Sequence, residues 1–337
     1  MSQQNTKQDR IATYLQKSNG GMLFDELSDK YLSEAGIYDI LHGVPVPIAA
    51  GVGDELSTLT IAFGMARVIG ADTNFEYKDN YVAYIKQLFG DDASKALIAE
   101  GAKYGQSGNY ELAAMFFRAV LIFDSRSRDA LYLYGRACKD AYERENEDEE
   151  YVGSFKAESL EIFELLTMLH PDFVMGYYFL GYGYANLGLY IKADLTWAKF
   201  IERTAATGDP EIEELRSEIS ERLDALREPV KIEEGGNCVL SGDYMGGINI
   251  LSQYTDGNYK DWWPLWYYLA VSEASLGNAE PAIDYYKQAL VYTPSNTDIM
   301  EELASVYAAI GDQANSVKYL NKIEIVKNNI KQESGNQ

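Results

Sequence analysis

The sequence predicts an all-α protein built from antiparallel helix pairs. Apolar residues recur at the i, i+3, i+4, i+7 spacing that marks one face of a helix. Short turns that contain glycine separate these helical stretches. Successive pairs begin near residues 94 and 128, and again near residues 263 and 297, which is 34 residues apart in both cases. A fixed period of this length indicates an array of repeated helix pairs.

The clearest pair spans Trp266 to Pro294. A turn at Gly277-Asn278 separates its two helices, and Pro294 ends the second because proline has no N–H to continue the ladder. Each helix carries one stripe that includes small residues, so the two backbones are expected to approach closely. The stripe residues are Trp266, Leu269, Ala270 and Glu273 in the first helix and Ala282, Tyr286 and Ala289 in the second.

This order of aromatic, leucine, small residue, glycine turn, alanine, aromatic, alanine and proline resembles the tetratricopeptide repeat (TPR). The resemblance implies an all-α, right-handed superhelix, an α-solenoid of stacked antiparallel helix pairs with about six TPR-like units. It also implies a concave groove, lined by the first helix of each pair, that binds polypeptide. It implies no reaction.

The segment 1–93 is predicted to be helical and precedes the array. Two prolines, Pro45 and Pro47, force an extended backbone within it, and Asp54 is a plausible helix cap. The predicted elements in order are a helix at Ile11–Lys17 ended by Gly20-Gly21, one or two helices between Met22 and Leu41, the extended stretch Val44–Ile48, and helices at about Asp54–Ile69 and Tyr77–Phe89.

The array is predicted to cover 94–330 and to be followed by a disordered tail, 331–337. An extra helix at 209–227 interrupts it, with Asp209 as cap, Pro210 at the first helical position and an end before Pro229. The six units lie near 94–127, 128–173, 174–207, 228–261, 263–296 and 297–330.

An acidic insertion, 143–154, lengthens the second unit. Residues 143–150 carry six acidic side chains and one arginine, and like charges at neighbouring helical positions repel each other. The insertion is therefore either a solvated extension of both flanking helices or a mobile loop. Metal chelation is an alternative, but the spacing lacks the aspartate and glycine pattern of a calcium loop.

Composition and charge limit the function classes. Of 337 residues, 47% are hydrophobic, enough for an interior, while the formal net charge of −23 opposes binding to nucleic acid and to anionic membranes. No apolar run approaches the roughly 20 residues needed to span a bilayer, and Met1–Arg10 lack the order of a signal peptide. We therefore expect a cytoplasmic protein. Cys138 and Cys238 lack metal-site spacing and are predicted to be buried thiols.

The candidate binding residues lie on the first helices, on the face opposite the core stripe. Exposed tyrosines suit polypeptide contact because a rigid amphipathic ring contributes area at low entropic cost. The alternative is that these tyrosines pack against adjacent repeats. The groove candidates are Tyr132, Arg136, Lys139, Tyr178, Tyr182, Asn186, Tyr267 and Val271. Their chemistry suits a protein or peptide ligand of basic, aromatic or apolar character.

The leading hypothesis is a non-enzymatic scaffold without cofactor or metal. Its alternatives are a peptide-sensing regulator, a secretion-type chaperone and, less favoured, an enzyme with an unrecognised site in residues 1–90. Catalysis has little support, since neither His42 nor His170 has a recognisable nucleophile or carboxylate beside it in sequence. A homodimer through the C-terminal helix is a further hypothesis, which depends on Ile323, Val326 and Ile330.

Overall fold

A computed structural model describes residues 9–49, 57–144 and 148–334. The chain divides into two compact units. The first contains the residues up to Leu187 together with Lys199–Thr207, and the second contains Gly188–Ala198 and the residues from Gly208 onward. Apart from one two-stranded sheet, the described elements are helices, so the predicted all-α class of stacked helix pairs is confirmed.

The first unit begins with a segment that mixes helices and strands. The strand β1 pairs antiparallel with β2, with Met22 opposite Ala49 and Glu26 opposite Pro45. The helix predicted from Met22 is therefore wrong at its start, whereas the extended backbone at the two prolines is confirmed. The elements are α1 (Ala12–Ser18), β1 (Met22–Glu26), α2 (Asp29–Glu34), α3 (Tyr38–Leu41), β2 (Pro45–Ala49), α4 (Thr58–Ala71) and α5 (Lys78–Phe89).

Helix α4 is buried along most of its length. It begins after Ser57, whose hydroxyl accepts a hydrogen bond from the Thr60 N–H at 3.1 Å, and the predicted cap Asp54 lies outside the described residues. Near its end a Cβ added at Gly70 would stand 1.9 Å from the Met115 carbonyl oxygen. Glycine is thus required where α4 crosses the later helix that carries Met115.

Helix pairs follow in the first unit. They are α6 (Ala93–Gln106), α7 (Tyr110–Phe123), α8 (Arg128–Glu143), α9 (Glu149–Leu169) and α10 (Val174–Ala185), followed by α11 (Tyr190–Thr204), which is divided between the two units. Each of the helices α6 to α9 packs against the next in the chain.

The acidic insertion is partly helical. Asp148 caps α9 by accepting a hydrogen bond from the Tyr151 N–H at 2.9 Å, and the Tyr151 side chain is buried. At the other side Arg144 donates to Glu111 on α7 at 2.6 Å. Residues 145–147 lie outside the described part. The insertion therefore extends the second helix of its pair by about two turns.

The first helix of the chain docks on α7 and α9. Ile11 and Leu15 are fully buried, Asp9 forms an ion pair with the buried Arg118, and Arg10 donates to Glu161 at 2.8 Å. An apolar contact flanked by two ion pairs anchors α1 to the helix pairs.

In the second unit, helix pairs follow the segment Gly188–Ala198. The helices of this unit, besides the beginning of α11, are α12 (Pro210–Leu240), α13 (Tyr244–Leu251), α14 (Trp263–Ser275), α15 (Ala279–Tyr292), α16 (Thr297–Ala309) and α17 (Gln313–Ser334). The helix predicted to end before Pro229 instead continues to Leu240. Proline removes one backbone hydrogen bond, and burial of Ile232 and Val239 beyond it offsets that loss.

Helix α17 packs on the core of its own unit. Ile323 is 6% exposed within a cluster that includes Tyr307 and Tyr319, and Val326 packs against the same cluster. Ile323 and Val326 therefore pack within the chain rather than forming the predicted contact with a second copy. The side chain of Ile330 lies outside the described part. The helix continues to Ser334, into the segment predicted to be a disordered tail.

A glycine with positive φ marks the corner of each of five pairs. At Gly277, where φ is 83°, an L side chain would be strained, and the same conformation recurs at every corner of this kind. The next residue is asparagine or aspartate in four of the five. These corner glycines are Gly108, Gly188, Gly242, Gly277 and Gly311.

Candidate functional site

The first candidate surface surrounds Arg136 on α8. The Arg136 guanidinium carbon lies 5.9 Å from the ring centroid of Tyr132 and 5.3 Å from that of Phe179 on α10. Tyr132 in turn meets Phe173 edge to face, with centroids 5.1 Å apart. The Arg136 Nε is enclosed and has no hydrogen-bond acceptor among the described residues. We call Tyr132, Arg136, Phe173 and Phe179 the arginine cluster.

Two further candidates, Lys139 and Asn186, are engaged at the end of this surface. Lys139 forms an ion pair with Glu143 one turn along α8. Burial, with Glu143 next in effect, raises the pKa of the nearby Tyr142 hydroxyl to about 12, and the side chain of Asn186 bonds to that hydroxyl. Asn186 also accepts a hydrogen bond at its carbonyl from Lys156 Nζ at 2.8 Å. Both residues therefore have partners within the chain.

Asp140 lies between these groups with a shifted pKa. Burial raises the pKa of its carboxyl above the ordinary value, and the charges of Arg136 and Lys139 act in the opposite direction. The net rise shows that desolvation is larger than the attraction of the two cations at this position.

Tyr178 and Tyr182 form a second group of rings on α10. Their centroids are 5.1 Å apart, and Tyr178 also lies 5.0 Å from Phe179 and 5.7 Å from Phe200. Both tyrosines are half-buried. Phe179 thus joins the two groups. Its apolar character is that of a core residue, so the sequence does not mark it as a surface candidate.

In the second unit Tyr267 and Val271 lie half-buried on α14. Tyr267 contacts Trp263 at 6.1 Å, Tyr268 at 5.8 Å and Tyr286 of its own helix pair at 6.2 Å. Burial raises the pKa of the Tyr267 hydroxyl, and Glu302 adds to the rise. These ring contacts lie within the tyrosine's own pair, whereas the alternative stated from the sequence was packing against adjacent repeats.

A pocket of about 310 Å³ opens in the second unit, and no motif in the sequence predicts it. Its lining residues come from the start of α11, the second half of α12, the segment before α14 and α14 itself. They are Gly188, Tyr190, Pro229, Ile232, Glu233, Gly236, Asn237, Tyr259, Trp262 and Tyr268. We call this the aromatic pocket, since four of its residues carry aromatic rings.

Local structure fixes the walls of the aromatic pocket. The Ile191 N–H donates to Glu233 Oε2 at 2.8 Å, which holds the carboxylate in place. A Cβ added at Gly236 would stand 3.2 Å from the Tyr268 ring, so glycine lets that ring lie against α12. Burial raises the pKa of the Tyr259 hydroxyl, and the charge of Glu228 contributes next. The Glu228 contribution shows that a negative charge acts near this ring.

Neither histidine takes part in these surfaces. His42 stacks on Tyr38 at 4.5 Å, with its Nδ1 3.2 Å from Asp29, and His170 Nε2 lies 2.7 Å from the Arg126 carbonyl oxygen. Within residues 9–49, 57–144 and 148–334, no three His, Cys, Asp or Glu side chains converge as metal ligands would. No helix in the same ranges combines the length and apolarity needed to cross a bilayer.

The contact register inside the pairs repeats with the sequence period. A Cβ added at Gly101 would stand 2.8 Å from Phe117, one at Gly135 2.9 Å from Phe163, and one at Gly235 2.7 Å from Leu251. The large residue follows its glycine by 16 positions in the first and third cases. In the second the separation is 28, and the excess of 12 equals the length of the acidic insertion. Each of these three first helices thus admits one large side chain of its partner at the same place.

The fold is TPR-like. Solved structures similar to this chain include MamA, with 14% identity, a TM-score of 0.28 and coverage of 70% of this chain and 93% of that one. MamA from Desulfovibrio magneticus RS-1 has 12% identity and a TM-score of 0.28, covering 72% and 98%. The TPR domain of P58(IPK) has 17% identity and a TM-score of 0.38, covering 68% and 59%.

All three TM-scores are low, so these likenesses carry no statement about function. No protein-family model and no curated protein matches the sequence. The TPR-like assignment therefore depends on the repeated register of small and large residues, and function must be argued from the side chains themselves.

Proposed function

We propose that this TPR-like chain is a non-enzymatic scaffold that binds a segment of another polypeptide on its first helices. The observation that carries the proposal is the half-buried aromatic surface of α8 and α10, where Arg136 and the rings of Tyr132, Phe179, Tyr178 and Tyr182 touch one another. Rings held by their neighbours lose little entropy when a partner covers them.

The electrostatics favour a polypeptide over other ligands. The net charge of −23 repels the phosphates of nucleic acid, whereas a basic or apolar segment is not opposed. Arg136 is half-buried within the aromatic surface, and its guanidinium can donate to a backbone carbonyl or carboxylate of the segment. Tyr267 and Val271 on α14 offer a separate contact area in the second unit.

Two narrower hypotheses assign a more specific function to the same surface. A secretion-type chaperone would hold one partner until delivery, and a peptide-sensing regulator would release an effector in residues 1–90. Residence in the cytoplasm is part of the proposal. The docking of α1 on α7 and α9 does not favour the chaperone or the regulator over a scaffold without these added roles.

Site-specific photo-crosslinking tests the scaffold. A photoreactive phenylalanine analogue placed at Tyr182 should give an adduct of defined mass in cells. The matched control is Tyr38, a tyrosine 37% exposed that also stacks on a neighbouring ring, and it should give no such adduct. The pair of substitutions Tyr178→Ala and Tyr182→Ala should then weaken binding of the captured polypeptide at least about tenfold.

Two results would contradict the proposal. One is the same adducts, or none, from positions 182 and 38. The other is unchanged affinity of the double alanine variant in a folded protein, checked by circular dichroism, because the surface would then contribute no binding energy.

A further inference from the structure

The aromatic pocket has the composition of a site for an organic cation. Tyr190, Tyr259, Trp262 and Tyr268 contribute ring surface and Glu233 contributes a carboxylate. Among the residues that the structure describes, no lysine, arginine or histidine lines the pocket. The negative face of an aromatic ring attracts a cation, and the attraction strengthens where water is excluded. A ring-lined pocket with one acidic wall therefore selects positive charge.

We propose that this pocket binds an arginine side chain presented by the partner polypeptide, an inference that rests on the scaffold function above. The pocket's volume of about 310 Å³ suits one long side chain. Trp262 is 40% exposed and Asn237 is exposed, so the pocket opens to solvent and a partner can reach it.

The hydrogen-bond acceptors favour arginine over other cations. Glu233 uses Oε2 for the Ile191 N–H, and its Oε1 has no hydrogen-bond partner among the described residues. Asn237 also lines the wall, and an asparagine side chain can accept a hydrogen bond. A guanidinium brings five donors on a plane that stacks on rings, whereas a quaternary ammonium has no donor. A primary ammonium is compact and strongly hydrated, so it is less suited to a ring-lined space.

An apolar or anionic occupant fits the pocket poorly. An apolar group would cover the Glu233 carboxylate without pairing it, which costs free energy. An anion would meet the charges of Glu233 and of Glu228, the second of which acts on Tyr259. The same two carboxylates assist the approach of a guanidinium.

The walls are preorganised for this occupant. Glu233 is fixed by the Ile191 backbone, and the Tyr268 ring rests where Gly236 leaves room. Glu234, the next residue, pairs with Lys231 at 2.6 Å and does not line the pocket. Glu234 is thus a matched control for Glu233, because it is an adjacent carboxylate that pairs with Lys231 outside the pocket.

A titration of the full chain tests the inference without the natural partner. The probes are blocked tripeptides with alanine on each side of arginine, citrulline, lysine or trimethyl-lysine. The readout is the indole N–H resonance of Trp262 in proteins labelled at tryptophan, assigned with Trp262→Phe. We expect arginine to shift this resonance and to bind at least about tenfold tighter than neutral citrulline, its near isostere. Lysine and trimethyl-lysine should bind more weakly than arginine.

Variants separate the pocket from its surroundings. In calorimetry, Glu233→Gln keeps an acceptor for the Ile191 N–H and should lower arginine affinity about tenfold, while Glu234→Gln should leave it unchanged. Trp262→Leu, at an exposed position, should also weaken binding. Equal binding of citrulline and arginine, tighter binding of trimethyl-lysine, or no binding of arginine would overturn the proposal.

These outcomes are independent of the crosslinking at Tyr182. If the tripeptides fail while the adduct at position 182 forms, the scaffold stands without an arginine pocket. If arginine binds but position 182 captures nothing, the pocket stands and the first-helix surface of α8 and α10 is not the binding face.

Discussion

The guanidinium carbon of Arg136 lies over the ring of Phe179, 5.3 Å from its centroid, and so joins the first helices of two successive pairs. A planar guanidinium suits this position because it presents a face to the ring while its charge remains near Asp140. Neighbouring first helices are thereby held in a fixed register where the proposed polypeptide surface lies.

The first prediction follows from that contact. Arg136→Lys keeps the charge but replaces the planar group with a compact ammonium, so we expect a loss of about 0.5–2 kcal/mol in the free energy of unfolding. Urea denaturation measures it. The matched control is Arg227→Lys, an exposed arginine paired with Asp224, which should change stability by less than about 0.5 kcal/mol. Equal effects at the two positions would contradict the stacking account.

The second prediction concerns how the stability of the protein changes at acid pH. Burial opposes ionisation of Glu111, but hydrogen bonds from Tyr151 and Arg144 outweigh it and hold the Glu111 pKa below its ordinary value. A lowered pKa means that this carboxylate stabilises the fold above the unfolded pKa. That contribution is lost as the pH falls through the folded pKa.

Glu111→Gln should therefore destabilise the protein by about 1–3 kcal/mol at pH 7. The difference from the wild type should shrink between about pH 5 and pH 3, measured by urea denaturation at each pH. Arg144→Gln removes the partner and should show the same trend. A difference that stays constant with pH would rule out a role for the ionised carboxylate.

A third prediction compares two helical glycines. A Cβ at Gly70 would stand 1.9 Å from the Met115 carbonyl oxygen, which is backbone and cannot move aside, whereas one at Gly153 meets nothing within 4 Å. Gly70→Ala should cost more than about 3 kcal/mol of stability. Gly153→Ala on α9 should add about 0.5–1 kcal/mol. Thermal unfolding of both variants tests the close crossing of α4 and α7, which would be refuted by a stable Gly70→Ala protein.

A fourth prediction concerns the two thiols. Burial raises the pKa of the Cys138 thiol well above its ordinary value, and the charge of Glu158 contributes next, while Cys238 is half-buried on α12. At pH 8 a maleimide should label Cys238 in the native protein. Cys138 should react slower by on the order of a thousandfold, since it requires unfolding of its surroundings. Mass spectrometry of peptides over time measures both rates, and similar rates would show that α8 opens locally.

The repeated pairs could be predicted from the sequence because their signals are local. The 29 residues from Trp266 to Pro294 contain the signals for both helices and for the corner between them. Helices α14 and α15 lie where that pattern predicts them. Pairing across a longer interval was missed. Met22–Glu26 has apolar residues that suit a helix, yet β2, some 20 residues later, offers it a strand partner.

The proposed sites show the same division. Tyr132, Arg136, Tyr178 and Tyr182 could be selected by helical position alone, whereas the aromatic pocket assembles residues from Gly188 to Tyr268. No periodic pattern connects such distant residues. The continuation of α12 through Pro229 also could not be foreseen, because the local rule for proline ignores the burial that offsets its cost.

The corner glycines have a consequence for engineering this chain. Since each of these five pairs turns on its own left-handed glycine, the conformation of that corner does not require a particular side chain on the first helix. We expect that a pair such as Trp263–Ser275 with Ala279–Tyr292 can be exchanged if its contacts with the neighbouring helices are kept. Replacing one such helix pair with another should alter what the protein binds without changing the conformation of the glycine corners.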